Sequence, residues 1–286
     1  MKIAISGSTG FIGRQLSEYL SRSGNELIAI SRKELIGGVN QLAKVVNSAD
    51  VIINLAGSSV LCRWNDRNKQ LILSSRVETT RSLVDAVRQN EPGSRPRVFI
   101  NASAIGIYGN SGTHDENSPV LDSGFLATVC KAWEGETRPM KELNVRVCIP
   151  RIGIVLGTTG GSLGKMLPLF KIGLGGKIGS GKQPFPFIHM LDLCRAIEHL
   201  IFDETSSGVY NMVSPDSITN ALFTKVLSEC LHRPALFAVP EFVLKLAYGD
   251  AAQLLTKGAV VKPVRLQEEG FQFKFPDILS ALGDLV

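Results

Sequence analysis

The chain has 286 residues, 44% of them hydrophobic and 20% charged, and 31 Lys and Arg against 26 Asp and Glu leave a formal net charge of +5. With 28 glycines and 13 prolines, this ordinary globular composition excludes a disordered, collagen-like or coiled-coil chain, and its length suits one large domain with a smaller lobe. No apolar run approaches the roughly 18–20 residues of a membrane span, MKIAISGSTG is not a signal peptide, and the dispersed charge offers no basic block for nucleic acid; the expected partners therefore include neither membrane nor nucleic acid.

The first half alternates β-branched runs with amphipathic stretches. Lys2–Ser6 reads as a strand, Phe11–Ser23 as a helix with Phe11, Ile12, Leu16 and Leu20 near helical spacing, and Glu26–Ile30 as a second strand after the Gly24-Asn25 stop. Between Ile30 and Asp50 there is barely room for a helix and a third, very short strand. Asp50–Leu55 is a buried-type strand, and Lys69–Gln89 a long helix with Leu71, Val77, Leu83, Val84 and Val87 as its apolar residues. Arg97–Ala102 and Val145–Pro150 are further strands, with helix between about Ser123 and Leu143. Continuous apolar strands separated by helices predict a parallel sheet covered on both faces.

From Gly157 the texture changes. Gly157–Gly181 is too glycine-dense for an uninterrupted helix, so Leu163–Ile172 is read as a short helix between loops. Asp192–Phe202 is expected to be a helix behind an Asp cap, Gly208–Met212 to return to the sheet, and 220–286 to form a mainly helical lobe. The fold class is thus α/β: a Rossmann-type, doubly wound parallel sheet over 1–156, with 188–218 rejoining it, and a smaller C-terminal substrate lobe from 157–187 and 219–286. The five cysteines (Cys62, Cys130, Cys148, Cys194 and Cys230) form no CxxC pair and suit reduced thiols in a cytoplasmic protein. Four scattered histidines offer no metal-ligand spacing.

Gly7-Ser8-Thr9-Gly10-Phe11-Ile12-Gly13 lies between the first strand and the first helix. Its GxxGxxG spacing lets backbone approach a pyrophosphate, whose charge meets free N–H groups at the positive end of the helix. The second strand ends at Ser31-Arg32-Lys33, where an NAD-selective site places Asp or Glu on the ribose hydroxyls. A carboxylate there would repel a 2′-phosphate, whereas Arg32 binds it through a two-pronged contact and Ser31 donates a hydrogen bond. The expected cofactor is therefore NADP(H); the plainer reading makes Arg32 and Lys33 solvated surface charges.

At Gly7–Gly13, Asn54–Gly57 and Asn101–Gly109 the sequence resembles the extended short-chain dehydrogenase/reductase superfamily, within the NAD-dependent epimerase/dehydratase family. Arg63-Trp64, Ser75–Thr80, Trp133-Glu134, Gly175–Gly181, Gln183–His189 and Gly270–Phe273 are similar to an atypical subgroup with a C-terminal module of unknown function. The resemblance implies that Gly7, Ser8, Thr9, Gly10, Phe11 and Ile12 take the pyrophosphate and that Ser31 and Arg32 take the 2′-phosphate. It further implies that Leu55 and Ala56, with Gly57 beside them, line the adenine side. Arg76 then faces the cofactor, and Ile152 lies near the nicotinamide. It implies no established substrate. Extended relatives often dimerise through helices on one sheet face, which makes 69–89 a candidate homodimer surface while leaving monomer and dimer open.

The superfamily's chemistry rests on Tyr-xxx-Lys one helical turn apart, where the lysine lowers the phenol pKa from about 10. None of Tyr19, Tyr108, Tyr210 and Tyr248 is followed four residues later by lysine, and Ala127 stands four residues before Lys131. Four residues remain as candidate catalytic groups. Tyr108 either reaches the nicotinamide side or packs as a loop aromatic. Ser103 stands one residue before Ala104, the position where the superfamily's hydroxyl is expected. Lys131 holds the ribose or decorates a helix surface, and His189 is a general acid or a structural histidine near the following helix. Trp64 and Trp133 wall a pocket or fill core, and Asp115-Glu116 is expected to be a solvated loop. Two functions fit: an epimerase-like NADP(H) oxidoreductase acting on a small polar substrate, or a non-catalytic NADPH sensor.

Overall fold

The computed structural model describes residues 1–120 and 122–286. Strands β1 (Lys2–Ser6), β2 (Glu26–Ile30), β3 (Val51–Asn54), β4 (Val98–Asn101), β5 (Arg146–Ile152) and β6 (Gly208–Met212) form one sheet in the order β6-β5-β4-β3-β1-β2, and the short strand Ser103–Ala104 also joins β5. Every pairing in this sheet is parallel; Ile5 of β1, for example, stands between Ala29 and Ile53.

Both faces are buried, which explains why the strands read as unbroken apolar runs. Ile3, Ile5, Val51, Ile53, Val98 and Ile100 point to one face, against Leu16 and Leu20 of α1 (Phe11–Arg22) and Leu193, Ile197 and Leu200 of the helix Met190–Phe202. Their neighbours Ala4, Ile52 and Phe99 point to the other, against Leu42, Val46, Leu83, Val84 and Val87. This alternation follows from the two-residue period of a strand. Each fully covered Leu, Ile or Phe contributes roughly 1.5–3 kcal/mol relative to leaving it in water.

Among the described residues no strand forms between β2 and β3, where the sequence left room for a very short one. Two short helices, Arg32–Ile36 and Val39–Val46, fill the connection, broken at Gly37-Gly38 with Gly38 at φ +98°. The stretch is too short for helix plus strand, and Leu42, Ala43 and Val46 bury on the sheet at helical spacing instead.

Other boundaries move for identifiable reasons. The long helix spans Asp66–Gln89, earlier than its apolar pattern, because Asn65 caps it by accepting from the Asn68 N–H at 2.8 Å. Leu71 faces solvent, and Ile72 takes the core position. The helical stretch before β5 divides into Phe125–Gly135 and Pro139–Glu142. The helix expected behind an Asp192 cap starts at Met190. His189 is its cap, Nδ1 accepting from the Leu191 N–H at 3.1 Å. Asp192 is fully buried inside the first turn and accepts the N–H groups of Lys274 and Phe275 at 2.8 Å.

The C-terminal region has its own core, with Leu163, Leu167 and Phe170 packed among Phe187, Phe223, Leu227, Phe275, Ile278 and Leu282. It is mainly helical. Short parallel pairs join Gly176–Ile178 to Phe237–Val239 and Val260–Val261 to Thr113–His114.

Candidate active site

The strand order reverses at β1, which has β2 on one side and β3 on the other. Such a switch point opens a crevice outside the carboxyl ends of the strands. A buried polar ladder fixes those ends. Ser6 Oγ donates to Asn54 Oδ1 at 2.6 Å, and Asn54 Nδ2 donates to Asn101 Oδ1 at 2.7 Å and Thr80 Oγ1 at 2.9 Å. Trp133 Nε1 donates to the same Thr80 oxygen at 3.0 Å. These partners tie β1, β3 and β4 to two helices with every amide satisfied, and a fully satisfied buried network rigidifies its surroundings.

On this platform lies Gly7–Gly13. Gly7 has φ +76°, and a Cβ there would lie 2.8 Å from the Leu55 carbonyl carbon and 2.9 Å from the Ala56 nitrogen. A Cβ on Gly13 would run into the Gly7 carbonyl oxygen, so α1 meets the loop with backbone alone. Gly10 caps α1 without a side chain, and the first turn carries no acidic residue. The N–H groups of Phe11, Ile12 and Gly13 therefore lack intrahelical acceptors at the positive end of the helix. Ser8 and Thr9 form the rim, where the Thr9 carbonyl accepts from Arg14 at 3.3 Å.

Two cations flank the cradle. Ser31 caps the helix Arg32–Ile36 in a capping box: its Oγ accepts from the Glu34 N–H at 3.4 Å and its N–H donates to the Glu34 carboxylate at 2.5 Å. Arg32, next in line at the end of β2, is exposed, and among the described residues its guanidinium has no hydrogen-bond or ion-pair partner. Arg76 is half-buried against Gly57, where a Cβ would lie 2.8 Å from its Cζ. It donates to the Ser58 and Ile72 carbonyls at 3.0 Å and lies over the Trp133 ring. Among the described residues no carboxylate pairs with it, and burial lowers its pKa. An open helix N-terminus, a backbone cradle that admits no Cβ and a half-buried cation without a counter-charge fit a dinucleotide's phosphates.

The candidate acid–base residues are arranged differently. Ser103 Oγ donates to Glu134 Oε1 at 2.6 Å, and Arg151 grips both oxygens of that carboxylate at 2.8 Å through Nε and Nη2. Arg151 Nη1 donates to the Tyr108 hydroxyl at 2.8 Å, and the hydroxyl donates to Asn211 Oδ1 at 2.9 Å. Tyr108 stacks on His114 at 5.1 Å. Burial raises the Tyr108 pKa against the pull of Arg151. Burial also works against the Arg151 charge, but the bonds and charge of Glu134 outweigh it and hold that pKa well above its ordinary value.

Lys131 is exposed and donates to the Asp122 carbonyl at 2.7 Å, while Ala127 beside it on the helix is fully buried. His189 is buried, and its Nε2 lies 3.3 Å from Asp284 Oδ2 without hydrogen-bond alignment. Burial depresses its pKa, opposed by the Asp284 and Asp192 charges. Ile152 ends β5 beside Ala104 and Met212. Both tryptophans are buried, Trp64 donating to the Val60 carbonyl at 2.9 Å.

Sequence reasoning missed several members. The Asp115-Glu116 loop is not simply solvated: Glu116 accepts from the Asn211 N–H at 2.9 Å and the Arg265 N–H at 3.4 Å, and burial raises its pKa. Glu134 and Arg151 stand 17 positions apart and on different elements, so no motif spacing joins them. The ring nitrogen of His199 comes within 3.4 Å of Glu269 and 3.8 Å of Asp203. The other Glu269 oxygen there is taken by Tyr210 and Arg265.

Sheet order, glycine cradle and crevice define a Rossmann-type α/β protein. The chain matches the NAD dependent epimerase/dehydratase family over residues 3–212 and a domain of unknown function, DUF1731, over 239–285. It belongs to the NAD dependent epimerase/dehydratase family. The crystal structure of human epimerase family protein SDR39U1, isoform 2, with NADPH is similar at 35% identity and TM-score 0.92, covering 100% of this chain and 99% of that one. A chloroplastic SDR39U1 homolog of Arabidopsis thaliana is 34% identical over 99% of this chain and 86% of its own. Epimerase family protein YfhF of Bacillus subtilis is 33% identical over 100% of this chain and 98% of its own.

Proposed function

We propose that the crevice binds NADP(H) and that the protein is an epimerase-like oxidoreductase, acting on a small polar substrate between the sheet and the C-terminal lobe without a tyrosinate. The observation that carries the cofactor choice is the partnerless Arg32 guanidinium at the end of β2, where NAD selection would require a carboxylate. The SDR39U1 structure with NADPH supports the same reading, since that relative is 35% identical over the whole chain.

In this account the amides of Phe11 and Ile12 and the backbone of Gly7, Ser8, Thr9 and Gly10 hold the pyrophosphate. Arg32 and the free O–H of Ser31 hold the 2′-phosphate. Leu55, Ala56 and Gly57 line the adenine side, Arg76 supplies a half-buried positive charge, and Ile152 lies against the nicotinamide. Bound NADPH supplies a hydride. The protein's share is to orient it and exclude water from the crevice. Tyr108 and Ser103 are read as positioning residues, because the raised phenol pKa is opposite to what a tyrosinate base requires. Lys131 fastens a loop. Of the four candidate residues, His189 is left as the one that exchanges a proton.

A second reading, a non-catalytic NADPH sensor, is favoured by one specific feature, the closed set of bonds among Ser103, Glu134, Arg151 and Tyr108. NADPH oxidation with a panel of carbonyl compounds and nucleotide sugars separates the two. Turnover that survives Tyr108→Phe supports the enzyme without tyrosinate. Tight NADPH binding with no turnover on any substrate supports the sensor, and turnover abolished by Tyr108→Phe alone returns the tyrosine to catalysis.

A further inference from the structure

The C-terminal lobe carries a group of exposed apolar side chains that have no intramolecular explanation. The helix Glu241–Tyr248 touches the protein mainly through Leu244 and Tyr248, one turn apart, and leaves Phe242 71% and Leu246 75% exposed. Two residues before it ends the strand Phe237–Val239, whose first residue Phe237 is 59% exposed and is preceded by Leu236 at 85%. The turn after the helix Gly161–Lys171 adds Ile172 at 66% and Leu174 at 54%.

These segments lie together. Arg233 Nε donates to the Lys171 carbonyl at 3.1 Å, Pro234 lies against Gly173, and Gly176–Ile178 pairs with Phe237–Val239. Glu241 lies against Gly179 and so fixes the start of the helix beside the same strand pair. Apolar side chains protruding as a group mark an interaction surface, whereas single ones need no explanation.

Charge selects the occupant. Lys171, Arg233 and Lys245 are exposed within these segments against one exposed carboxylate, Glu241, and among the described residues none of the three cations is ion-paired. A second copy packed on this face would bring the same positive charges together. An anionic bilayer meets both halves of the chemistry: protruding Phe and Leu side chains enter the headgroup boundary while basic side chains stay at the charged surface.

We propose that this face, built from 165–174 and 233–246, docks the protein peripherally on anionic membrane surfaces. The absence of a spanning segment does not bear on this. Docking needs only side chains brought together from parts of the chain about sixty residues apart, which no sliding window sees.

The test is co-sedimentation of the full-length protein with vesicles of phosphatidylcholine alone or phosphatidylcholine mixed with phosphatidylglycerol. Binding is expected to the mixed vesicles, to weaken at high salt, and to be near background on phosphatidylcholine alone. Phe242→Glu with Leu246→Glu should weaken it by more than about tenfold, and each of Lys171→Glu and Lys245→Glu by at least about fivefold. Both classes of variant should keep the wild-type unfolding midpoint, since the altered side chains are solvent-facing. No binding to mixed vesicles by folded wild-type protein overturns the proposal. So does sedimentation-velocity evidence of a concentration-dependent dimer that Phe242→Glu dissociates, which would assign the face to self-association. Equal binding to both vesicle types overturns the electrostatic half and with it the assignment to an anionic surface.

Discussion

Arg151 donates Nη1 to the Tyr108 hydroxyl at 2.8 Å while its Nε and Nη2 hold both oxygens of Glu134. The tyrosine that the sequence leaves either at the nicotinamide side or as a packing aromatic thus faces a guanidinium already neutralised by a carboxylate, and its own proton is given to Asn211. A tyrosine kept protonated in this way orders the strand ends rather than exchanging protons. Tyr108→Phe should cost about 1–3 kcal/mol of stability, the usual price of leaving buried partners unmatched. Urea denaturation checks the stability, and NADPH titration should show affinity within about twofold of wild type, since the hydroxyl makes no contact with the cradle.

Glu134 and Arg151 are both largely buried, with side-chain exposures of 13% and 6%. Glu134→Ala strands the guanidinium without a counter-charge and should destabilise by about 3–5 kcal/mol. Replacing both partners with apolar residues of similar volume should recover much of that loss. Equal instability of the single and double variants in urea would show that packing, not the stranded charge, sets the cost.

Gly13 admits no side chain because a Cβ would collide with the Gly7 carbonyl. Gly13→Ala should displace the loop from α1 and weaken NADPH binding by more than about tenfold, since the amide cradle depends on that close approach. Gly24→Ala serves as the control. Unlike Gly13 it has a positive φ, +81°, and a Cβ there meets open space, so it should cost some stability and leave binding intact.

Burial holds the His189 pKa below its ordinary 6.5. The unfolded chain therefore binds the proton first as pH falls, and stability is lost on acidification below about pH 6.5 and fully present above it. His189→Asn keeps a helix cap and removes the titration. The difference in unfolding free energy between wild type and variant should be flat above about pH 7 and shrink wild type's advantage below about pH 6. An advantage that grows on acidification would mean that the Asp284 and Asp192 charges outweigh burial.

Legibility in the sequence followed the range of the interactions. β1, β2 and β6 were readable to the residue because each is a short run with apolar or aromatic residues suited to a strand, bounded by glycine or polar turn residues. The phosphate cradle was readable because its chemistry is contained in seven consecutive residues. The replacement of the third strand by Arg32–Ile36 and Val39–Val46 was not, since the burial of Leu42 and Val46 depends on a sheet assembled from elsewhere. Asp192 looked like a cap but serves the backbone of Lys274 and Phe275, more than eighty residues away. Glu116 was assigned to solvent for the same reason; its partners on Asn211 and Arg265 exist only once the lobe folds back.

The central claim is that Arg32 reads the 2′-phosphate at the end of β2, and the most direct measurement is a paired titration of wild type and Arg32→Ala with NADPH and NADH, followed by tryptophan quenching. Wild type should bind NADPH at least about tenfold more tightly than NADH, and Arg32→Ala should remove most of that preference while leaving NADH affinity unchanged. Equal loss for both cofactors, or no preference in wild type, would contradict the assignment.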